Sequence, residues 1–201
     1  MIKVFHSPRS RSLRVLWMAE EMGLPYEVEP GSFIQPSEAF LAVNPTRTLP
    51  AMVDGDVVIT ESIAILQYLG SKYGPTPLTP QPQDANYAAY LQFLVLGEAS
   101  LAAALTPIVR ARFLAPDDQK ENWTLQNNTD GFIRQLHHVD AQLAKGPFMA
   151  GETFTAADIS VGYALAFGEF VGLTERYSAA VADYHQRLKD RPAFQRAAAV
   201  A

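Results

Sequence analysis

The sequence predicts an α/β domain with a mixed four-stranded sheet, followed by an all-helical domain. Short apolar runs alternate with helical patterns in residues 1–74, whereas only helical patterns follow in residues 85–201. The stretch between them, G-P-T-P-L-T-P-Q-P-Q-D at 74–84, contains four prolines. Because proline interrupts a helix and supplies no backbone donor to a central strand, we interpret residues 75–84 as the linker between the domains.

The first domain is predicted to run strand, helix, strand, helix, strand, strand, helix. Its first strand is Ile2 to His6, and a helical pattern that begins near Leu13 stops at Gly23. Tyr26 to Val28 is the second strand, and two strands joined by a helix form a right-handed parallel unit. A short helix or irregular turns follow in residues 30–43. This order is that of the thioredoxin-like arrangement, with helices on both faces of the sheet.

A hairpin and a helix form the centre of the predicted first domain. Two short apolar runs, Ala51 to Val53 and Val57 to Ile59, flank an Asp-Gly-Asp turn in which Gly55 can adopt a positive φ. The pattern then becomes helical. We expect Thr60 to cap the new helix and Glu61 to lie in its first turn, where the helix dipole favours negative charge.

The start of this helix is a candidate ligand site. An acid, a hydroxyl and unpaired backbone N–H groups meet at Glu61 and Ser62, which suits a ligand that carries both an ammonium and a carboxylate. Just upstream, Pro50 has no N–H to donate, so this position belongs at a strand start or a sheet edge. The peptide groups of Leu49 can then pair with an extended guest, as an edge strand pairs with an added one.

The order Leu-Pro, strand, Asp-Gly turn, strand, Glu-Ser, helix resembles the glutathione-binding half of the cytosolic glutathione transferases. The resemblance implies that the Leu49-Pro50 bond is cis and that Glu61 and Ser62 hold the γ-glutamyl end of glutathione. Relatives often carry Lys or Gln just before this Leu-Pro step, where it reaches the glycine carboxylate of glutathione. The residues expected to bind glutathione are Arg47, Thr48, Leu49, Pro50, Glu61 and Ser62.

Composition and charge exclude several further classes of partner and site. The formal charge of −5 argues against nucleic acid as a partner, because phosphate binding needs a basic surface. The chain has no cysteine, which excludes disulfides, thiolate metal sites and a cysteine nucleophile. The N-terminus lacks the blocks of a signal peptide, and no apolar run reaches the roughly 18 residues that span a bilayer. We therefore expect a soluble cytoplasmic protein with no membrane partner.

Without cysteine, a hydroxyl or a basic side chain must activate the glutathione thiol. This thiol resembles that of cysteine, with a pKa of about 8.5, and a hydroxyl at a helix N-terminus favours the thiolate. Ser10 lies four residues before Arg14, which resembles the serine-type, bacterial-like transferases, and Ser10 is our candidate catalytic residue. Ser7 is the alternative, and Ser12 is interpreted as a helix cap or first-turn residue. The tyrosine used by other classes is missing, because Phe5 occupies that strand.

A pocket for the second substrate is expected between the first loop and the long helix of the second domain. Arg9 and Arg11 flank this pocket and could hold an anionic substrate or stabilise negative charge in the transition state. It is an equally open interpretation that the arginines are solvated charges on a loop and that the apolar residues pack in the core. The candidate residues are Arg9, Phe33, Ile108, Arg112 and Phe113.

The second domain is predicted to contain a long apolar helix from Ala85 to about Leu114 and an amphipathic one from Asp117 to about Lys145. Two shorter helices follow near residues 173–189 and 192–199. Between these groups, Thr155 and Asp158 have the spacing of a reciprocal capping box. This box follows a Gly-x-x-Phe turn and resembles the folding box of the transferases, which is structural.

The resemblance implies an enzyme that activates the glutathione thiol for attack on a small, mostly apolar electrophile, as in detoxification. Glutathione is then a co-substrate, and no resident cofactor or metal ion is expected. The alternatives are a glutathione-dependent isomerase, dehalogenase or peroxidase, and a non-catalytic glutathione-binding protein. The resemblance also implies a two-fold homodimer.

Overall fold

The computed structural model describes residues 1–120 and 122–200. The chain forms two compact units: Met1–Thr79 together with Lys189–Ala201, and Pro80–Leu188. The first unit contains the sheet and the second is helical. The predicted fold class, a thioredoxin-like α/β part followed by a helical part, is therefore confirmed.

The sheet of the first unit is mixed and has the strand order β2-β1-β3-β4. β1 pairs in parallel with β2 and antiparallel with β3, which in turn pairs antiparallel with β4. Gly55 adopts a φ of 62° in the turn between β3 and β4, as the Asp-Gly pair predicted. The strands are β1 Ile2–His6, β2 Tyr26–Pro30, β3 Ala51–Asp54 and β4 Val57–Thr60.

Four helices belong to the first unit. α1 carries the largest buried side chain of this unit, Trp17, and ends at Gly23, whose φ of 64° closes the helix in the left-handed conformation. α2 is capped by Ser37, whose side chain accepts a hydrogen bond from the backbone N–H of Phe40. The helices are α1 Ser12–Met22, α2 Glu38–Val43, α3 Ser62–Lys72 and α9 Pro192–Ala198.

The placement of α9 differs from the predicted domain limits, which put residues 85–201 in the helical domain. Arg191 donates to both carboxylate oxygens of Glu21 in α1, at 2.6 and 2.7 Å. Phe194 packs edge-on against Trp17, with ring centroids 4.8 Å apart. These partners are about 170 residues apart along the chain, so the local sequence pattern carries no signal for them.

The start of α3 also differs from its prediction. Thr60 pairs with Ala51 in the ladder between β3 and β4, so it ends the strand and does not cap the helix. Glu61 is the N-cap residue instead, with a φ of 67° and no side-chain capping hydrogen bond. The prediction of Thr60 as the cap was therefore wrong, because strand pairing extends one residue further than the apolar run.

The long helix of the second unit runs continuously from Tyr87 to Leu114 and contains two π-helical turns. A π turn shifts the backbone hydrogen bonding by one residue. Just before the first π turn, the carbonyl of Leu94 accepts a hydrogen bond from the Ser160 hydroxyl at 2.7 Å. A Cβ on Gly97 would lie 2.4 Å from the Ser160 Oγ, so only glycine fits. The segments are α4 Tyr87–Leu96, a π turn at Gly97–Ala102, α5 Ala103–Val109 and a π turn at Arg110–Leu114.

This helix is also long and apolar enough to span a membrane by length and composition, although no uninterrupted apolar run within it reaches 18 residues. Of its most apolar window, 39% is buried inside the protein. Leu94, Leu101 and Leu105 are fully buried, and the helix packs against other helices of the second unit. The core helix of a soluble protein passes the same test of length and composition.

The rest of the helical unit is organised around the predicted capping box. Thr155 caps α7, and the Asp158 carboxylate accepts from the backbone N–H of Thr155 at 2.8 Å. The second carboxylate oxygen accepts from the Met149 N–H and the Tyr184 hydroxyl at 2.8 and 2.7 Å. The box is thus confirmed and links three segments. The remaining helices are α6 Trp123–Leu143, α7 Ala156–Phe170 and α8 Ala179–Lys189, with 3₁₀ turns at Asp117–Gln119 and Thr174–Arg176.

Candidate functional site

The loop after β1 folds as a tight turn that leads into α1. The Ser10 N–H donates to the Ser7 carbonyl at 3.1 Å, with Pro8 and Arg9 at the centre of the turn. Arg9 has a φ of 65°, the value that a type II turn requires at the residue after its proline. The Leu13 N–H then donates to the Ser10 carbonyl, which brings Ser10 to the start of the helix.

Ser10 is the buried serine of this turn. It is 7% exposed, whereas Ser7 is half-buried. Its Oγ lies 2.5 Å from the Oγ of Ser12, the first residue of α1, and Ser12 is fully buried. The Ser12 Oγ in turn lies 2.8 Å from Nδ1 of His6, the last residue of β1. Burial lowers the pKa of the His6 ring below its ordinary value of 6.5, which leaves the ring neutral at neutral pH.

Arg14 connects the start of α1 to the start of α3. The side chain is fully buried, and its Nη1 donates to the Ser62 Oγ at 3.2 Å. Ser62, the first residue of α3, is itself only 3% exposed. Arg14 therefore links the first turn of α1, which follows the Ser10 turn, to Ser62 at the start of α3. The sequence analysis used Arg14 only for its distance of four residues from Ser10 and did not predict its contact with Ser62.

The segment before Pro50 is held by a second buried polar residue, Asn44. Its side-chain amide donates to the Thr48 carbonyl at 2.7 Å, and its Oδ1 accepts from the Thr46 hydroxyl at 2.7 Å. Asn44 is 3% exposed, whereas Thr48 and Arg47 are exposed. The Asn44 side chain thus fixes the backbone that presents the predicted glutathione-binding residues. The sequence signal was an Asn-Pro step followed by two threonines, and sequence analysis did not use it.

The Leu49-Pro50 bond is cis, as the resemblance implied. Leu49 is buried with Phe5, Phe40 and Ala51 in one apolar cluster. A Cβ on Gly31 would lie 2.6 Å from the Leu49 side chain and 3.4 Å from the His6 backbone nitrogen. Leu49 therefore lies beside the end of β1, where the loop that carries Ser10 begins.

Three non-glycine residues of the described chain adopt a positive φ, and all three lie in these segments. They are Arg9 at 65°, Arg47 at 59° and Glu61 at 67°. Such conformations cost on the order of 1–3 kcal/mol each in non-glycine residues and concentrate at binding and catalytic sites. The three side chains are exposed. Two cations and one carboxylate at such positions suit a ligand that carries carboxylates and an ammonium.

The residues predicted for the second-substrate pocket belong to both units. In the first unit, Arg9 is exposed and Phe33 is 54% exposed. In the second unit, Phe113 is 54% exposed and stacks on Phe170, with ring centroids 5.1 Å apart. Ile108 is fully buried in the core of the helical unit, and the Arg112 guanidinium donates to the Val171 carbonyl. The pocket itself stays a prediction.

Comparison with known proteins agrees with this geometry. The glutathione S-transferase N-terminal domain family matches residues 8–72. The chain is 30% identical to glutathione S-transferase 1 of Zea mays, over 90% of this chain and 87% of that protein. It is 28% identical to glutathione S-transferase 3 of Schizosaccharomyces pombe, over 98% of this chain and 87% of that protein.

Solved structures show the same similarity over the whole chain. The theta class glutathione S-transferase from Xanthomonas axonopodis pv. citri, which has glutathione bound, superimposes with a TM-score of 0.84 at 27% identity and covers 100% of this chain and 98% of its own. The glutathione transferase from Methylococcus capsulatus gives a TM-score of 0.85 at 25% identity, and the match covers 98% of this chain and 97% of that one. The sheet topology and these similarities lead to one conclusion: the chain is an enzyme of the glutathione S-transferase family.

Proposed function

We propose that this protein uses Ser10 to activate the thiol of glutathione, which then attacks a small, mostly apolar electrophile. The observation that carries the proposal is the buried Ser10 hydroxyl at the start of α1, whose Oγ lies 2.5 Å from that of Ser12. A hydroxyl fixed in this way needs little reorganisation to donate to a thiolate, and preorganised donors are the usual source of such stabilisation. Glutathione serves as a co-substrate, and the enzyme uses no resident cofactor or metal ion.

The proposed glutathione site lies along the segments before β3 and before α3. Ser62 accepts a hydrogen bond from Arg14, so its own hydroxyl proton is available for the carboxylate of the γ-glutamyl group. Glu61, which is exposed at the start of α3, pairs with the ammonium of the same group. Leu49 and Pro50 offer the backbone for pairing with the peptide. Arg47 and Thr48 lie toward the glycine carboxylate.

The proposed chemistry is release of the thiol proton to water, followed by attack of the thiolate on the electrophile, which either expels a leaving group or, in an addition, takes up a proton from water. A thiol with a pKa of about 8.5 is mostly protonated at neutral pH, and each unit by which the pKa falls corresponds to about 1.4 kcal/mol. The Ser10 hydroxyl, the N-terminus of α1 and the nearby Arg9 all favour negative charge on sulfur. Within the first unit, the electrophile is proposed to bind beside the serine turn, near the exposed Arg9 and Phe33.

The experiment that tests this proposal compares Ser10→Ala with Ser7→Ala. We expect Ser10→Ala to leave glutathione affinity nearly unchanged, to lower turnover of a generic aromatic electrophile and to move the pH profile of the rate upward. Ser7→Ala is the matched control in the same turn and should retain turnover. If Ser7→Ala shows the loss and Ser10→Ala does not, the catalytic serine has been assigned incorrectly.

The same assay separates the alternatives. Activity restricted to isomerisation, dehalogenation or peroxide reduction would place the enzyme among those relatives. We also propose a two-fold homodimer in the cytoplasm, which sedimentation at micromolar concentration can test by the mass of the particle.

A further inference from the structure

We propose that His6 is a positioning residue for Ser10, and that it acts through Ser12. This inference rests on the proposed role of Ser10 in activating glutathione. The three side chains form a continuous chain of short contacts from the end of β1 to the start of α1. His6 Nδ1 lies 2.8 Å from the Ser12 Oγ, which lies 2.5 Å from the Ser10 Oγ.

Burial limits the hydrogen-bond partners that these three side chains can find. His6 is 4% exposed, Ser12 is fully buried and Ser10 is 7% exposed, so solvent offers few competing partners. A buried hydroxyl that lacks a partner costs about 1–3 kcal/mol, which makes the three groups hold one another in place. Within such a chain each hydrogen bond also polarises the next one.

The direction of the chain matters because each serine hydroxyl has only one proton. For Ser10 to donate to sulfur, its Oγ must accept from Ser12, and the Ser12 Oγ must then accept from Nδ1–H of His6. If Nδ1 carries no proton, Ser12 donates to His6 and Ser10 donates to Ser12. The Ser10 proton then points away from the ligand.

A neutral imidazole can support either direction, because its single proton resides on Nδ1 or on Nε2. A thiolate next to Ser10 is the strongest acceptor at that end of the chain. It therefore favours the outward direction, with the proton of the ring on Nδ1, in competition with the backbone hydrogen bond between the ring and Val200. The ring of His6 thus lets Ser12 donate to Ser10 and Ser10 donate to sulfur, at no cost in net charge.

The test is a double-mutant cycle between His6 and Ser12. We expect His6→Leu to lower kcat about three- to tenfold, which is the effect of one hydrogen bond. It should also raise the pKa of bound glutathione, measured from the ultraviolet absorbance of the thiolate. The KM for glutathione should hardly change. His6→Leu should have no further effect in a Ser12→Ala background, because His6 acts only through Ser12. Additive losses in the two variants would overturn the proposal.

Two further variants keep the result interpretable. His6→Asn places an amide N–H where Nδ1–H lies, so it should restore kcat to within about twofold of the original; failure of this rescue in a folded protein counts against the proposal. His138→Leu makes the same change at an exposed position of α6 and should alter nothing.

The measurements also separate this inference from the proposed function. If Ser10→Ala leaves the rate and its pH profile unchanged, the proposed role of Ser10 fails, whatever the His6 variants show. If Ser10→Ala abolishes turnover while His6→Leu matches the original enzyme, only the inference about His6 fails.

Discussion

Replacing Ser62 by alanine tests the proposed glutathione site at a buried hydroxyl. The Ser62 hydroxyl accepts from the Arg14 guanidinium at 3.2 Å, which directs its own proton toward a bound carboxylate. A hydrogen bond to a charged group contributes about 1.5–3 kcal/mol, so Ser62→Ala should raise the Kd for glutathione about 10- to 150-fold. Isothermal titration calorimetry with glutathione measures this change directly.

The control for this variant lies on the same helix. Ser71 is exposed near the end of α3, and Ser71→Ala should leave the Kd unchanged. Thermal unfolding of both variants shows whether the fold is retained, since Ser62→Ala also removes an acceptor of the buried Arg14. An unchanged Kd in Ser62→Ala, or an equal loss in Ser71→Ala, would refute the reasoning.

Three other predictions concern the stability of the fold. Gly97→Ala places a Cβ 2.4 Å from the Ser160 Oγ and should lower the free energy of unfolding by about 1–3 kcal/mol in a denaturant titration. Although burial raises the pKa of Asp54, hydrogen bonds from one lysine and two tyrosines bring it below its ordinary value, so its stabilisation is present above that value and is lost as the pH falls. Asp54→Asn should therefore flatten the acid end of the stability profile. Arg191→Ala should speed amide hydrogen exchange in α9 while β1 stays protected, and unchanged exchange would show that its contacts with Glu21 do not hold the helix.

Elements of both units could be predicted where local chemistry decides them. Gly23 and Gly55 adopt the left-handed conformations that their neighbours in the sequence predicted. The capping box at Thr155 was equally visible, because both partners lie within one helical turn. In each case the interaction that fixes the backbone lies within a few residues of the signal.

The missed features depend on partners that are distant in sequence. The place of α9 is decided by contacts about 170 residues away, and the π turn at Gly97 faces Ser160 on another helix. Likewise, Arg14 finds its role only because α3 starts beside it. A periodic pattern shows which face of a helix is apolar, but it does not show which segment covers that face.

The three left-handed residues at the site lead to a further argument about function. Glycine adopts a positive φ at little cost, so a turn that needed only its shape would be most stable with glycine there. The chain instead has Arg9, Arg47 and Glu61 at these positions, each with a charged and exposed side chain. The backbone strain is tolerable only if these side chains contribute something that glycine cannot. For Arg47 and Glu61 we propose that this contribution is the binding of the two charged ends of glutathione, and for Arg9 it is the stabilisation of the thiolate beside Ser10.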